Sequence, residues 1–372
     1  MAWNDFVARR SSNTPTPMLA VPPHDGPALV PPVGGEWDRS DWPLLPWARG
    51  PLSGAVVGAL QGAPGSFGGV QMIESVDPLT DDDFQLALYL CYEVHFRGLA
   101  DAGWEWDLDL LGFRNELERA FVDRLRDEST PIRASSTAHV VSALDDLTNA
   151  GTPSPLTTFL RDEGTLEQFR EFCVHRSAHQ LKEADPHSFA IARLTGETKA
   201  VMATIQFDHY GAGVAARMHS ALYADTMTAL GLDPLYGSYV ENLPGITLAA
   251  VNLISMFALH RRWRAAFVGQ LAVSTVASIE PMEHCNQALV RLGIGAEGRR
   301  FYDARTDASH ALATRERMVA GLIDVEPQLG SDLLFGATTI VMLEQRFRGH
   351  LLEAWSSGRS SLVPWSREQP DA

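Results

Sequence analysis

The amino-acid sequence predicts an all-α protein. From residue 80 onward, apolar side chains recur at three- and four-residue spacing, the period that turns one face of an α-helix towards a core. Capping residues, glycines and prolines separate these segments, as expected at the ends of helices. No segment shows strand alternation bounded by hairpin turns, and the sequence contains no internal repeat.

The predicted helices follow one another along most of the chain. Their ranges are 80–97, 108–128, 136–149, 165–183, 199–230, 246–271 (the central buried helices), 282–292, 297–323 and 329–355. Thr165 and Gln168 form a capping box at the start of the fourth range. Gly211 and Gly213 interrupt the fifth range and indicate a local irregularity, of the kind often found at functional sites.

Three regions are predicted along the chain. Eleven of the 22 prolines precede residue 65. Because proline fixes φ and lacks an amide donor, residues 1–75 are expected to form an extended or irregular arm. Residues 76–358 are expected to form a single helical domain, and residues 359–372 a C-terminal tail.

Length and composition restrict the classes of function. The chain has 372 residues, 45% hydrophobic and 20% charged, as in an ordinary soluble globular protein. Its formal net charge of -16 argues against nucleic acid as a partner, because phosphate binding requires clustered Lys and Arg. Three widely spaced cysteines give no disulfide framework, and no uninterrupted apolar run of about 18 residues predicts a membrane span. A cytoplasmic protein without a signal peptide is therefore expected.

The segment Phe301–His310 carries the first candidate for a metal site. On a helix, residues at i, i+4 and i+7 share one face, so Asp303, Asp307 and His310 would point the same way. Two carboxylates and an imidazole are ligands that iron, manganese or zinc accept. A solvated polar face is the alternative interpretation of the same spacing.

Other polar candidates also lie on predicted helices. Phosphate loops, dinucleotide fingerprints, GxSxG elbows and HExxH pairs are absent from the sequence, so a site would be built inward from facing helices. His209 and His219 would lie about 80° apart on a regular helix, and Asp208 would nearly eclipse His219. Glu183 lies three residues before Pro186, and an acidic residue before a proline commonly ends a helix for purely local reasons. Glu93 lies in an apolar helix and needs a partner, for which a structural salt bridge is favoured.

Three motifs together resemble a known family. They are KEADPH at 182–187, FDHYGAG at 207–213 followed by MHSALY at 218–223, and FYDARTDASH at 301–310. In order and spacing they look like the iron-containing redox enzyme branch of the heme-oxygenase-like diiron oxidases, over most of residues 80–356. The resemblance implies about seven core helices, with extra N-terminal helices, around a nonheme iron pair. Similar proteins activate dioxygen for N-oxygenation of amines or guanidines, for desaturation, or for carbon–carbon cleavage of amino acids and fatty acids.

The resemblance also implies metal ligands. The family pattern is a Glu and a His on one helix, a Glu on a later helix, and then His-x3-Asp-x2-His, with a further upstream Glu in some N-oxygenating members. His219, Asp307 and His310 match this pattern, and Glu183 lies where the upstream Glu would fall. Three positions depart from it, since a Glu is replaced by His209, a His by Asp303 and the second Glu by Thr275.

These departures bear on the number of metal ions. At His209 an imidazole replaces a carboxylate, and at Asp303 a carboxylate replaces an imidazole, so the two exchanges leave the number of each ligand type unchanged. Thr275, by contrast, removes an anionic bridge that would offset the repulsion between two ferrous ions. The chain is therefore predicted to be a nonheme iron-dependent oxidoreductase that holds one or two Fe(II) ions and acts with dioxygen on a small-molecule substrate. The alternative is a metal-free homologue, either a binding or scaffold module or a cofactorless oxidase in which histidines transfer protons. A homodimer is compatible with both, and no nucleic-acid or membrane partner is expected.

Overall fold

The computed structural model describes residues 45–70, 76–97, 100–134, 136–150, 153–303 and 308–364. Within these ranges the chain forms helices and no strands, which confirms the predicted fold class. The α-helices are α1 (Pro51–Leu60), α2 (Asp82–Glu93), α3 (Leu108–Glu128), α4 (Thr137–Ala150), α5 (Pro155–Asp162), α6 (Leu166–Gln180), α7 (Asp185–Ile191), α8 (Gly196–His209), α9 (His219–Ala229), α10 (Gly245–Leu259), α11 (Arg264–Ala277), α12 (Ile279–Arg291), α13 (Ala296–Asp303), α14 (Ala308–Ile323) and α15 (Gly330–Ser356). None of the described helices, α15 included, has an apolar stretch long enough to cross a membrane.

Helix α1 corrects the predicted N-terminal arm. Pro51 lies in the first turn, where its missing amide leaves no hydrogen bond unmade, and the side chains of Leu52 and Val56 are buried next to α2. The carboxylate of Asp83 accepts hydrogen bonds from the backbone amides of Leu52 and Ser53, at 2.9 and 2.7 Å. The prediction of an irregular arm is therefore wrong at residues 51–60. Residues 1–44 and 71–75 lie outside the described residues.

The core is organised around the apolar helices α10, α11 and α15. Helices α11 and α15 approach each other closely because Gly269 faces the backbone of Leu333, and Gly336 faces the backbone of Ala266, with no room for a Cβ at either glycine. Helix α10 packs against α2 and α7 on its other sides. The predicted range 246–271 thus corresponds to two buried helices, as expected for the centre of the bundle.

One predicted helix ends three residues early in the structure, and another is divided. The capping box of Thr165 and Gln168 is present, but α6 ends at Gln180, and a turn leads into α7 with Pro186 in its first turn. The single helix predicted over 199–230 is wrong. Helix α8 ends at His209 and α9 begins at His219, because residues 211–213 all have positive φ, between 53° and 82°, which an α-helix does not accommodate.

The last part of the chain closes the fold. The helix predicted over 297–323 crosses residues 304–307, which lie outside the described residues; on their two sides are α13 and α14. The predicted C-terminal tail is anchored over its first described residues. Ser361 is 3% exposed and donates to Glu171 through its backbone amide and its hydroxyl, at 2.9 and 2.7 Å, and Val363 donates to the carbonyl of Asn242 at 2.9 Å.

Candidate metal centre

Glu183 lies in the turn between α6 and α7, and its neighbours fix that turn. The preceding side chain, Lys182, forms a buried ion pair with Glu93 of α2, and the hydroxyl of Tyr236 donates to the same carboxylate at 2.5 Å. The carbonyl of Ala184 accepts from Gln206 of α8 at 2.9 Å. Glu183 itself is 7% exposed, so the fold holds this carboxylate in a buried position between two anchored residues.

His209 and His219 are brought together by the break between α8 and α9. His209 is the last residue of α8 and His219 the first residue of α9. The intervening segment turns back tightly at Gly211 (φ 67°), where an added Cβ would lie 2.5 Å from the carbonyl carbon of Arg217. The two imidazole rings therefore lie with centroids 4.5 Å apart and planes 37° apart, instead of separated around a regular helix.

Glu183, His209 and His219 form a compact cluster. Each offers a ligand atom, and these three atoms lie within 4.8 Å of one another. The carboxylate Oε2 of Glu183 lies 3.7 Å from Nδ1 of His219. Two imidazoles and one carboxylate are a donor set that nonheme Fe(II) accepts, so these residues fit an iron ion chemically. Among the described residues, this is the group of three that satisfies the spacing.

His187 was missed as a candidate, although it is the last residue of the KEADPH motif. Its side chain is 3% exposed on α7, and its ring centroid lies 5.3 Å from that of His209. On another side it contacts Phe267 of α11, with ring centroids 5.6 Å apart. His187 therefore restricts the position of the His209 ring from the side of the apolar core.

The segment 301–310 contributes to the same region in part. Asp303, at the end of α13, is exposed and accepts a hydrogen bond from Asn286 at 2.6 Å. His310 is an exposed residue on α14. Both line the cavity described below, but the three-residue cluster does not include them. Asp307 lies outside the described residues. Thr275 also lines the cavity, and its hydroxyl donates to the carbonyl of Leu271 within α11 at 2.8 Å.

A cavity of about 890 Å³ adjoins the cluster. Its volume lies in the range of pockets that bind small organic molecules. Much of its wall is apolar; examples are Val251, Ile254, Leu271, Ile340 and Val341. The cluster therefore lies beside a space that can hold a substrate next to a bound metal.

Charged groups line another part of this cavity. The guanidinium of Arg176 on α6 donates to both carboxylate oxygens of Glu344 on α15, each at 2.7 Å. Burial alone would raise the pKa of Glu344, but the guanidinium of Arg176 lowers that pKa to about 2. His179 follows Arg176 on α6 and precedes Glu183 in the chain. Burial lowers the pKa of His179, although the negative charge of Glu183 acts in the opposite direction.

Comparison with known proteins agrees with this chemistry. Residues 170–345 match a family model described as iron-containing redox enzyme, which confirms the resemblance seen in the motifs and indicates an iron-dependent oxidoreductase. The matched range contains Glu183, His209 and His219, as well as Asp303 and His310. No curated protein matches the chain.

Proposed function

From the relation of residues 170–345 to the iron-containing redox enzymes, we propose that this chain is a nonheme iron-dependent oxidoreductase that activates dioxygen on a small organic substrate. The observation that carries the proposal is the convergence of Glu183, His209 and His219 beside the cavity. A carboxylate and two imidazoles are a set that iron uses in oxygenases, where positions remain open for dioxygen and substrate.

The proposed ligands divide into two groups. One ferrous ion would be held by Glu183, His209 and His219, and it would supply the redox chemistry when bound. Asp303, Asp307 and His310 are the proposed ligands of a second ion. We expect this ion to bind more weakly, because Thr275 supplies no bridging carboxylate to offset the repulsion between two cations. Both histidines of the first group must be neutral to bind metal, so we expect iron affinity to fall in acid.

The remaining residues of the site have structural roles in this proposal. The apolar wall excludes water and positions the substrate, which strengthens electrostatic interactions inside the cavity. The anchored turn at Lys182 and Ala184 holds the Glu183 carboxylate, and His187 restricts the ring of His209. The chain thereby supplies a preformed set of ligands and does not need to assemble them at the moment of binding.

Oxygen uptake tests the proposal. The purified chain is loaded with Fe(II) without oxygen, excess metal is removed, and oxygen consumption is followed with ascorbate as reductant. We expect consumption above that of the same concentration of free iron, and its loss in His219→Ala. The control is His139→Ala, an exposed histidine outside this cavity. Uptake no faster than that of free iron, or equal uptake by the His219 variant, would overturn the proposal.

A further inference from the structure

Gln270 on α11 is a buried side chain whose hydrogen-bonding groups are not used by the fold. It is 3% exposed and lines the cavity, and none of the described residues forms a hydrogen bond with its amide. A buried carboxamide without partners costs free energy, which is why such groups are rare in folded proteins. Because this side chain borders the cavity, a bound ligand can supply the missing hydrogen bonds.

Gln180, the last residue of α6, is a second carboxamide in the lining of the cavity. Its Oε1 is buried and accepts no hydrogen bond from the described part of the chain. Gln180 lies three residues before Glu183, so it belongs to the end of the cavity next to the metal cluster. Two amide oxygens in the lining therefore need a donor.

The position of Gln270 is fixed by the packing of α11. The preceding residue, Gly269, faces the backbone of α15 with no room for a Cβ, so the two helices are held tightly together. One turn before Gln270, the ring of Phe267 contacts that of His187, with centroids 5.6 Å apart. His187 in turn contacts His209, so Gln270 lies within one helical turn of a residue that borders the cluster.

The unused amide groups indicate the chemistry of the ligand. A Gln side chain offers an acceptor oxygen and an NH2 donor, both on its terminal carbon. A carboxylate only accepts and would leave the amide oxygens unpaired, whereas an ammonium group only donates and would leave the NH2 groups unpaired. A carboxamide does both and can form two parallel hydrogen bonds with Gln270. We propose that Gln270, with Gln180, binds the carboxamide group of a neutral small molecule, such as a primary amide, a lactam or a urea.

The rest of the cavity fits a neutral ligand with an apolar body. Its wall includes Val251, Leu271 and Ile340. The charges of Arg176 and Glu344 in the lining are paired with each other. A neutral amide loses less hydration on entry than an ion does. Binding depends on the side chains alone, and only its consequence, that the atoms next to the amide are presented to the metal, rests on the proposed function.

Calorimetric titration of the full-length, metal-free chain with octanamide and with methyl heptyl ketone tests the subsite. The ketone has the shape of the amide, with a methyl group in place of NH2, so it cannot donate. Gln270→Met keeps the length of the side chain and removes its amide. We expect the ratio of amide affinity to ketone affinity to be at least about tenfold higher in the native chain than in this variant. An equal ratio in the two proteins would overturn the subsite.

Gln85→Met is the matched control. Gln85 is fully buried outside the cavity, and its amide donates to the carbonyl of Pro78 and accepts from Asn252 at 2.7 Å. This variant should keep the native affinity ratio and unfold at a lower urea concentration. Gln270→Met should unfold at the native concentration or above it, because it removes a group that the fold leaves unpaired. A lower urea midpoint in Gln270→Met together with an unchanged affinity ratio would overturn the subsite and assign Gln270 a structural role.

Charged analogues test the neutral class of the ligand. Octanoate and octylamine carry similar chains, and we expect each to bind at least about fivefold more weakly than octanamide, since each loses more hydration and pairs fewer groups. Tighter binding of either ion than of the amide would overturn the assignment. The titrations are then repeated after loading with Fe(II). Because the preference for the amide is expected without metal, failure of iron binding leaves this outcome unaffected, and the two proposals fail separately.

Discussion

Glu183 is the anionic member of the candidate metal cluster, and its charge can be removed without changing its size. Its carboxylate is buried 3.7 Å from His219, so removing its charge while keeping its shape changes little in the packing. We expect Glu183→Gln to lower the affinity for Fe(II) by at least about 100-fold, since a neutral amide replaces an anionic ligand. Competition with a chromophoric iron chelator measures this. Glu297→Gln, at a side chain that is 88% exposed, is the control and should retain native affinity.

The buried pair of Lys182 and Glu93 gives a second prediction at this scale. Lys182→Met leaves Glu93 without its cation, and we expect a loss of about 3–5 kcal/mol in the free energy of unfolding. The double variant Lys182→Met with Glu93→Leu should recover most of that stability in urea unfolding, since a buried ion pair can be replaced by apolar groups. If the pair also positions Glu183, the double variant should still bind Fe(II) roughly 10- to 100-fold more weakly. Full recovery of both properties would contradict a positioning role.

Individual residues show where sequence reasoning was sufficient. The expectation that Glu93 forms a structural salt bridge is confirmed, because a buried carboxylate in an apolar helix needs a cation. Its partner could not be predicted, since Lys182 lies 89 residues away and only the packing of α2 against the turn after α6 brings them together. His187 is the last residue of the KEADPH motif, but its position beside His209 depends on the turn after α6, which the sequence did not predict.

At the scale of elements, the break between α8 and α9 creates the site. Gly211 has φ 67° and no space for a Cβ against the backbone of Arg217 and Met218. We expect Gly211→Ala to lower the free energy of unfolding by at least about 2 kcal/mol and to weaken Fe(II) binding, because the backbone must move and His209 moves with it.

Gly213→Ala is the matched control for that change. Gly213 also has positive φ, at 82°, but an added Cβ would meet nothing within 4 Å. We expect the free energy of unfolding to fall by only about 1 kcal/mol, because alanine is less favourable than glycine at positive φ, and we expect native affinity for Fe(II). Thermal or urea unfolding together with chelator competition separates the two effects. Equal iron affinity in both variants would contradict the role assigned to the break.

The sequence predicted most long helices closely and missed what divides them. The predicted ranges 108–128, 136–149, 282–292 and 329–355 agree with α3, α4, α12 and α15 within three residues. The two glycines at 211 and 213 correctly indicated an irregularity, but local propensity does not say in which direction a chain turns. The short helices α5 and α7 were not predicted, since seven or eight residues show too little periodicity to stand out.

For the whole molecule, buried neutral histidines make stability depend on pH. Burial and the neighbouring Arg114 lower the pKa of His95 from 6.5 to about 4, and Arg114 donates to its Nε2 at 2.6 Å, which requires a neutral ring. The unfolded chain takes up a proton below pH 6.5 that the folded chain takes up only near pH 4. The free energy of unfolding should therefore fall as the pH decreases through this window.

The size of this effect can be measured on the metal-free chain. For His95 alone, we expect about 2 kcal/mol less stability at pH 5 than at pH 7, from urea unfolding. His95→Gln keeps an acceptor for Arg114 and should remove that share of the pH dependence. His175, whose pKa burial lowers well below 6.5, contributes in the same direction and remains in the variant. An unchanged pH dependence in His95→Gln would contradict the assignment.

The fold as a whole was predictable because it depends on helical periodicity, and the family match over residues 170–345 agrees with the motifs. Helix α1 was not predicted, because the N-terminal region is rich in proline and the buried face of this helix is fixed by its contact with α2. The resemblance implied Glu183, His209 and His219 among six candidate ligands, and it did not single out these three. The fold does so, because one possible ligand atom from each lies within 4.8 Å of the other two.

Iron content is the most direct test of this account. The chain is purified without oxygen, given Fe(II), freed of excess metal, and its iron is counted for the native protein and for His209→Ala, His219→Ala and the control His139→Ala. We expect at least one equivalent in the native chain and the control, and its loss in the other two variants. An iron-free native chain, or variants that retain the metal, would contradict the account and favour a metal-free bundle with the same fold.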